Sequence, residues 1–344
     1  MPELAVYDLD EAVAQVASHW DALRGGHVFL TGGTGFIGTW LLETFLRANT
    51  MLELGARVTV LTRDPKRFLA KAPHLAAHKS IRLFEGDVCS AAFPQENFSH
   101  AIHAAAHAGR SSDEPLRAFD TIVSGTRRIL DFCGAAHIPN LLFLSSGAVY
   151  GPQAPDVPLL MEERSPAPST SYGEAKRAAE ALCGAYAAQV GLRVVTARCF
   201  AFLGPHLPLD GPFAAGNFVR DVIKGQAIAV RGDARTVRSY LYASDLAAWL
   251  WTMLLNPQAS GIYNVGSDRA VTIADLAQMF ATAGGARVSF TATPIGVPSR
   301  YVPSIDRARK QLGLDVRVPL DEAIRRTLRW YSETPIMSES AARI

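Results

Sequence analysis

Four glycines fall within seven residues, Gly32, Gly33, Gly35 and Gly38, just where the run FLTGGTGFIGTWLLETFL (Phe29 to Leu46) turns into an apolar helical pattern. A glycine in a regular element costs roughly 0.5–1 kcal/mol relative to alanine, so such a cluster implies demanding backbone geometry or close approach of a ligand. Upstream, His27 to Thr31 (HVFLT) suits a buried parallel strand; downstream, Trp40, Leu41, Leu42, Phe45 and Leu46 recur at helical spacing. Gly33, Gly35 and Gly38 satisfy G-x-G-x-x-G between that strand and that helix. In this setting the glycines give a tight turn, admit a pyrophosphate to the backbone and let the helix pack closely on its strand. The helix start adds unpaired N–H groups and a positive dipole end. Dinucleotide binding is therefore expected over a loose turn.

Composition agrees with a soluble globular chain: 344 residues, 49% apolar, net charge +2. The charge balance points to no nucleic-acid partner. No segment reaches about 18 uninterrupted apolar residues, and the acidic, amphipathic start MPELAVYDLDEAVAQVASHW is unlike a signal peptide, so no membrane partner and a cytoplasmic location are expected. Cys89, Cys133, Cys183 and Cys199 show no C-x-x-C pairing and read as reduced, mostly buried thiols, with no metal site and no catalytic cysteine.

Residues 8 to 24 read as a helical extension, capped by Asp8 or Asp10 and ended by Gly25-Gly26. Strand-like runs follow at Arg57 to Leu61, Ile81 to Phe84, His100 to His103, Leu141 to Ser145 and Leu192 to Ala197, with a long helix over Thr170 to Val190. Strands alternating with helices imply right-handed βαβ units and a parallel sheet. Beyond about residue 200, Gly- and Pro-rich pieces such as LGPHLPLDGPFAAGNF break the pattern. The expected fold is an α/β, Rossmann-type doubly wound parallel sheet with a smaller mixed α/β carboxyl-terminal lobe. Its parts are an extension (1–25), a dinucleotide-binding domain (26–200) and a mainly substrate-binding lobe (201–335), some segments of which can return to the first domain.

Tyr172 and Lys176, in SYGEAKRAAE, stand four apart on the long helix and share a face. A tyrosine is a poor base at its usual pKa of about 10, but a neighbouring ammonium favours the phenolate. Such a pair can exchange a proton with a sugar hydroxyl while hydride moves to or from a nicotinamide. Y-x-x-x-K alone is common on solvated helix faces. Here LFLSSGAVYG, Leu142 to Gly151, ends a strand with Ser145 and Ser146, and active-site groups gather at the carboxyl ends of such strands.

These pieces, with EGDV at Asp87, HAAA at His103, GNFV at Asn217, RSYLYASDLA at Arg238 and Asp245, and YNVGS at Tyr263, run in order from about Gly26 to Tyr331. The chain resembles an extended short-chain dehydrogenase/reductase of the NAD-dependent epimerase/dehydratase family, which modifies nucleotide sugars. The resemblance implies Ser146, Tyr172 and Lys176 as the catalytic set, and Asp87 near the adenine. It implies cofactor contacts from Gly32, Gly35, Phe36, Ile37, Gly38, Thr62, Arg63, Asp87, Val88, Ala104, Ala105, Tyr172 and Lys176. Substrate contacts are expected from Ser146, Asn217, Arg238 and Arg300, with Asn217 and Arg238 on the diphosphate. Arginine suits that role because its planar fork binds phosphate oxygens in pairs. For Asp245 a helix-capping role is expected instead. A homodimer is implied as well, paired through the helix of Tyr172 and the one before it, with Ala178, Ala181, Leu182 and Ala185 facing outward.

Three departures narrow the function. Family members that dehydrate or decarboxylate carry an Asp-Glu pair, or a Glu, between the serine and Val-Tyr-Gly, where this chain has Gly147 and Ala148. The family's helix asparagine falls on Ile122, and the asparagine expected after the sixth strand on Ala201. The end of the second strand, which normally holds an acid on the adenosine ribose, carries Thr62 and Arg63 with Asp64 one residue on. A cation there accommodates a 2′-phosphate, so NADP is favoured while NAD stays open. The first reading is an NAD(P)-dependent nucleotide-sugar epimerase acting at a ring carbon, C4, through a keto intermediate. The alternatives are an NADPH-dependent 4-ketoreductase and a non-catalytic dinucleotide sensor.

Overall fold

A computed structural model describes residues 2–105, 114–291 and 296–333. Its frame is a seven-stranded, wholly parallel sheet built from β1 (His27–Thr31), β2 (Arg57–Thr62), β3 (Ile81–Glu85), β4 (His100–His103), β5 (Asn140–Ser146), β6 (Arg193–Cys199) and the strand Gly261–Val265. The spatial order is Gly261–Val265, β6, β5, β4, β1, β2, β3. The chain thus winds outward from β1 through β2 to β3, then crosses back to β4 on the other side. That reversal leaves a crevice beyond the carboxyl ends of β1 and β4, where ligands of open α/β sheets bind. All of β1 and β4 is buried, as expected of strands covered on both faces.

Helices α1 (Val6–Gln15), α2 (Phe36–Met51), α3 (Pro65–Lys71), α4 (Pro73–Ala76), α5 (Pro115–Ala135) and α6 (Ser171–Val190) precede β6. Thr170 caps α6 by accepting the Gly173 N–H at 3.1 Å, and Gly191 ends it in the left-handed conformation at φ +69. The helix Ala243–Leu255 is buried along its whole length against α1, α2 and the sheet, and it returns the chain to the seventh strand. Both elements lie beyond residue 200, so the sheet draws on the later chain as well as the earlier.

The extension has a definite task. Trp20 packs on Trp251 at 5.3 Å, and Trp251 Nε1 donates to the Leu41 carbonyl at 3.2 Å, so α1 and the turn Trp20–Leu23 seal the outer side of the buried helix. Asp8 does not cap α1. It is buried inside the helix, accepting from the Tyr242 hydroxyl and the Arg326 guanidinium at 2.8 Å each, because a buried carboxylate needs such donors. Asp245 likewise does not cap its helix: its oxygens receive Gln15 Nε2 and the Arg317 and Val318 N–H groups, all at 3.0 Å. Both acids join chain ends to the body instead.

The rest forms the smaller lobe, with helices Ala214–Ile223, Ile273–Gly284 and Leu320–Glu333 over short strands. One small sheet pairs Val237–Arg238 antiparallel with Val271–Thr272 and parallel with Arg300–Tyr301. No described helix is long and apolar enough to cross a membrane, and among the described residues no three His, Cys, Asp or Glu side chains gather as metal ligands.

Candidate active site

Each glycine of the first turn has its own reason. Gly32 sits at φ +74, and a Cβ there would lie 2.6 Å from the Ala104 carbonyl carbon, so the turns after β1 and β4 can touch only through glycine. A Cβ on Gly33 would meet Val60 at 2.7 Å, and one on Gly38 would lie 2.4 Å from both the Gly32 oxygen and the Gly33 Cα. Those two serve packing. Gly35 differs: a Cβ there would find only the Gly32 oxygen, at 3.5 Å. Its open side, at the start of α2, leaves room for a phosphate, with the N–H groups of Phe36, Ile37 and Gly38 in the first turn unpaired within the helix. The residues present therefore fit a dinucleotide.

Around this turn, the Thr31 hydroxyl accepts the Ala105 N–H at 3.2 Å and contacts His103 Nδ1 at 2.7 Å, fixing the turn after β4. Burial pulls the His103 pKa down to about 3, so the ring is neutral. Asp87 Oδ1 accepts the Cys89 N–H at 2.8 Å and shapes the turn that carries Val88. At the end of β2, Thr62 is buried and Arg63 exposed. The carboxylate of Asp64 accepts the Arg67 N–H at 2.8 Å as the cap of α3.

The catalytic set comes together from two elements. β5 ends at Ser146, and α6 places Tyr172 and Lys176 one turn apart beside it. Burial holds the Tyr172 pKa up at about 12, while the nearby Ser146 hydroxyl works the other way by favouring the phenolate. Lys176 is buried; its ammonium donates to the Leu144 carbonyl at 2.7 Å and lies 5.0 Å over the Phe143 ring. Burial lowers its pKa to about 8. Behind β5, Ser145 donates to Glu180 at 2.5 Å, and Glu180 holds Arg198 through two bonds of 3.0 and 2.7 Å. Glu180 is thereby committed to structure. Glu162 is committed too, accepting the Asn264 N–H at 2.8 Å.

In the lobe, Arg238 is half-buried, donates to the Val237 carbonyl at 2.8 Å and makes no ion pair among the described residues. Asn217 gives its amide oxygen to Arg220 at 3.0 Å, which leaves its N–H groups as the donors it can offer a phosphate. Arg300 is not gathered with them. It stands opposite Val237, its Nε donates to the Pro158 carbonyl at 2.8 Å, and strand alternation turns it away from the face shared by Arg238 and Tyr301. Ile122 lies in the apolar cluster beneath Tyr172, and Ala201 packs on the core of the lobe. Sequence reasoning missed Tyr301, whose hydroxyl would lie 2.4 Å from a Cβ on Gly147, a residue far back in the chain. No local pattern marks it.

The family model for the NAD dependent epimerase/dehydratase family matches residues 28–266. The chain belongs to that family. It is an enzyme of the short-chain dehydrogenase type, and its fold is that of the family's solved members. It is 28% identical over 323 residues to a dTDP-glucose 4,6-dehydratase of Streptomyces niveus, covering 89% of this chain and 93% of the relative. Over 311 residues it is 27% identical to UDP-glucuronic acid decarboxylase 1 of Xenopus tropicalis, covering 88% and 72%. The Streptomyces venezuelae dTDP-glucose 4,6-dehydratase, solved with NAD bound, superposes with a TM-score of 0.78 at 25% identity over 90% of this chain and 97% of that one. UDP-glucose 4-epimerase of Thermotoga maritima, solved with UDP-glucose, shares the fold at a TM-score of 0.76, with 21% identity over 89% and 99%.

Proposed function

We propose that the protein is an NAD(P)-dependent nucleotide-sugar epimerase working at a ring carbon, C4. Relatives named for acting on UDP- and dTDP-sugars support the substrate class. The observation that carries the choice of reaction is the composition of the site: three proton-handling groups, Ser146, Tyr172 and Lys176, meet at the end of β5, while Gly147 and Ala148 supply no carboxyl group for elimination or decarboxylation. When bound, the nicotinamide supplies the reversible hydride acceptor. Tyr172 takes the proton of the sugar hydroxyl and later returns it, Ser146 holds that oxygen by a hydrogen bond, and the Lys176 charge favours the Tyr172 phenolate. Arg238 and Asn217 bind the diphosphate, so energy from the remote nucleotide orients the reacting carbon. Once the ring carbon is a ketone, return of hydride to the other face gives the epimer.

Tyr172→Phe tests this reading, since it removes the proton-carrying oxygen and leaves packing nearly unchanged. Epimerisation of a panel of UDP-, CDP-, GDP- and dTDP-sugars, followed by NMR, should disappear while cofactor binding persists. Turnover equal to wild type would overturn the assignment.

A second reading, 4-ketoreductase with exchangeable NADPH, is favoured by the end of β2. Asp64 spends its carboxylate on capping α3, and Arg63 stands exposed where a 2′-phosphate would lie. Stoichiometric NADPH consumption with a 4-keto nucleotide sugar supports this reading; a tightly retained cofactor that is not consumed supports the epimerase. For either reaction we propose a homodimer formed through α5 and α6.

A further inference from the structure

Tyr172, Lys176 and Glu180 stand at successive turns of α6 and share one face of it. Neighbouring residues of β5 meet the last two: the Lys176 ammonium donates to the Leu144 carbonyl at 2.7 Å, and the Ser145 hydroxyl donates to Glu180 at 2.5 Å. The lysine of the catalytic set thus has a buried carboxylate one helical turn away, at a spacing where opposite charges ordinarily pair. Yet Glu180 is paired with Arg198 and not with Lys176.

Arg198 lies opposite Ser145 in the parallel pairing of β5 and β6, and its Nε and Nη2 take the two Glu180 oxygens at 3.0 and 2.7 Å. Its guanidinium lies 4.6 Å over the Tyr150 ring, and its remaining nitrogen, Nη1, is buried with no hydrogen-bond partner among the described residues. A buried ion pair that leaves a donor unsatisfied is a poor source of stability, because apolar residues of similar volume often serve as well or better. The other titratable groups around Lys176 carry no negative charge. Burial pushes Tyr172 and Cys199 up to about 12 and Cys183 higher still, and His103 is neutral. Glu180 is therefore the one anion facing Lys176 among the described residues.

We propose that Arg198 is a positioning residue of the active site: by gripping both oxygens of Glu180 it denies Lys176 a counter-ion and leaves the ammonium charge to act on the Tyr172 oxygen. The proposal rests on the reading of Lys176 as the charge that favours the Tyr172 phenolate.

The test follows the Lys176 titration in the cofactor-free protein by NMR of isotope-labelled lysine side chains, with Lys176→Met identifying the signal. Arg198→Met releases Glu180 to pair with Lys176 and should raise the midpoint by at least about one pH unit, whereas Glu180→Gln removes the anion and should lower it. In the Glu180→Gln background, Arg198→Met should act less than half as strongly, because no carboxylate is left to release. Arg198→Lys keeps a cation but loses the fork, so it should raise the midpoint by a smaller amount; this covers an Arg198→Met variant that fails to fold. A pair that served stability alone would change melting temperatures and leave the midpoint in place. That result, or equal shifts from the Arg198 substitutions in both backgrounds, overturns the proposal alone. In protein saturated with NAD⁺, the tyrosinate absorbance that Tyr172→Phe abolishes should titrate at higher pH in the Arg198 variants. A Tyr172 midpoint that ignores a shifted Lys176 overturns the reading of Lys176 and the proposal together.

Discussion

The ammonium of Lys176 donates to the carbonyl of Leu144 at 2.7 Å from a buried position with no carboxylate in hydrogen-bond contact among the described residues. Burial holds its pKa at about 8, below the ordinary lysine value. The folded state thus gives up this proton more readily than the unfolded chain, and stability rises with pH from about 8 through the ordinary value. Below about 8 the charge is a full cost to folding. Lys176→Met should therefore stabilise the cofactor-free protein at pH 7 by about 1–2 kcal/mol after the lost hydrogen bond is counted. The gain should fade above about pH 10, and cofactor affinity should fall. Melting curves across pH with cofactor titrations check both.

Gly35 and Gly38 should separate binding from folding. Gly38→Ala puts a Cβ 2.4 Å from backbone atoms of Gly32 and Gly33 and should destabilise the protein by about 1–3 kcal/mol. Gly35→Ala meets nothing closer than 3.5 Å, so its melting temperature should hold while NAD(P) affinity drops at least about tenfold, equivalent to about 1.4 kcal/mol. Calorimetric titration and thermal melts of the two variants measure this contrast.

Arg238→Ala should raise the KM for a nucleotide sugar at least about tenfold, because a lost charge-assisted hydrogen bond is worth roughly 1.5–3 kcal/mol. Cofactor affinity should not move. Free sugar should be a poor substrate for both proteins. Efficient use of free sugar, with Arg238→Ala indifferent to both substrates, would remove the nucleotide-sugar reading.

On α6, Ala181 and Ala185 are exposed and Ala178 and Leu182 half-exposed; on α5, Leu116 is 81% and Phe119 36% exposed. A two-fold pairing of these helices would cover that apolar strip through small residues that permit close approach. Light scattering at micromolar concentration should give twice the chain mass, and Ala181→Arg should halve it without unfolding the protomer. A wild-type monomer contradicts the pairing.

The sequence by itself determined six of the sheet's seven strands, because those are short apolar runs set between helical or loop segments, signals that are local. It placed β4 at His100–His103 and located Ser146, Tyr172, Lys176 and the glycine turn, each of which follows a strand or shares one helix face. What each glycine does was not legible, since Gly38 is explained by Gly32 and Gly35 by open space beside it. Asp8 and Asp245 looked like caps because a cap is a local pattern; their true partners, Arg326 and the backbone at 317–318, lie far along the chain and come near only when both ends fold onto the buried helix. Arg300 was read as a substrate contact, and strand register turned it toward Pro158 and brought its neighbour Tyr301 beside Gly147. Spacing along a chain fixes which residues share an element, but which elements touch is decided by packing, and the approach of Tyr301 to Gly147 exists only there.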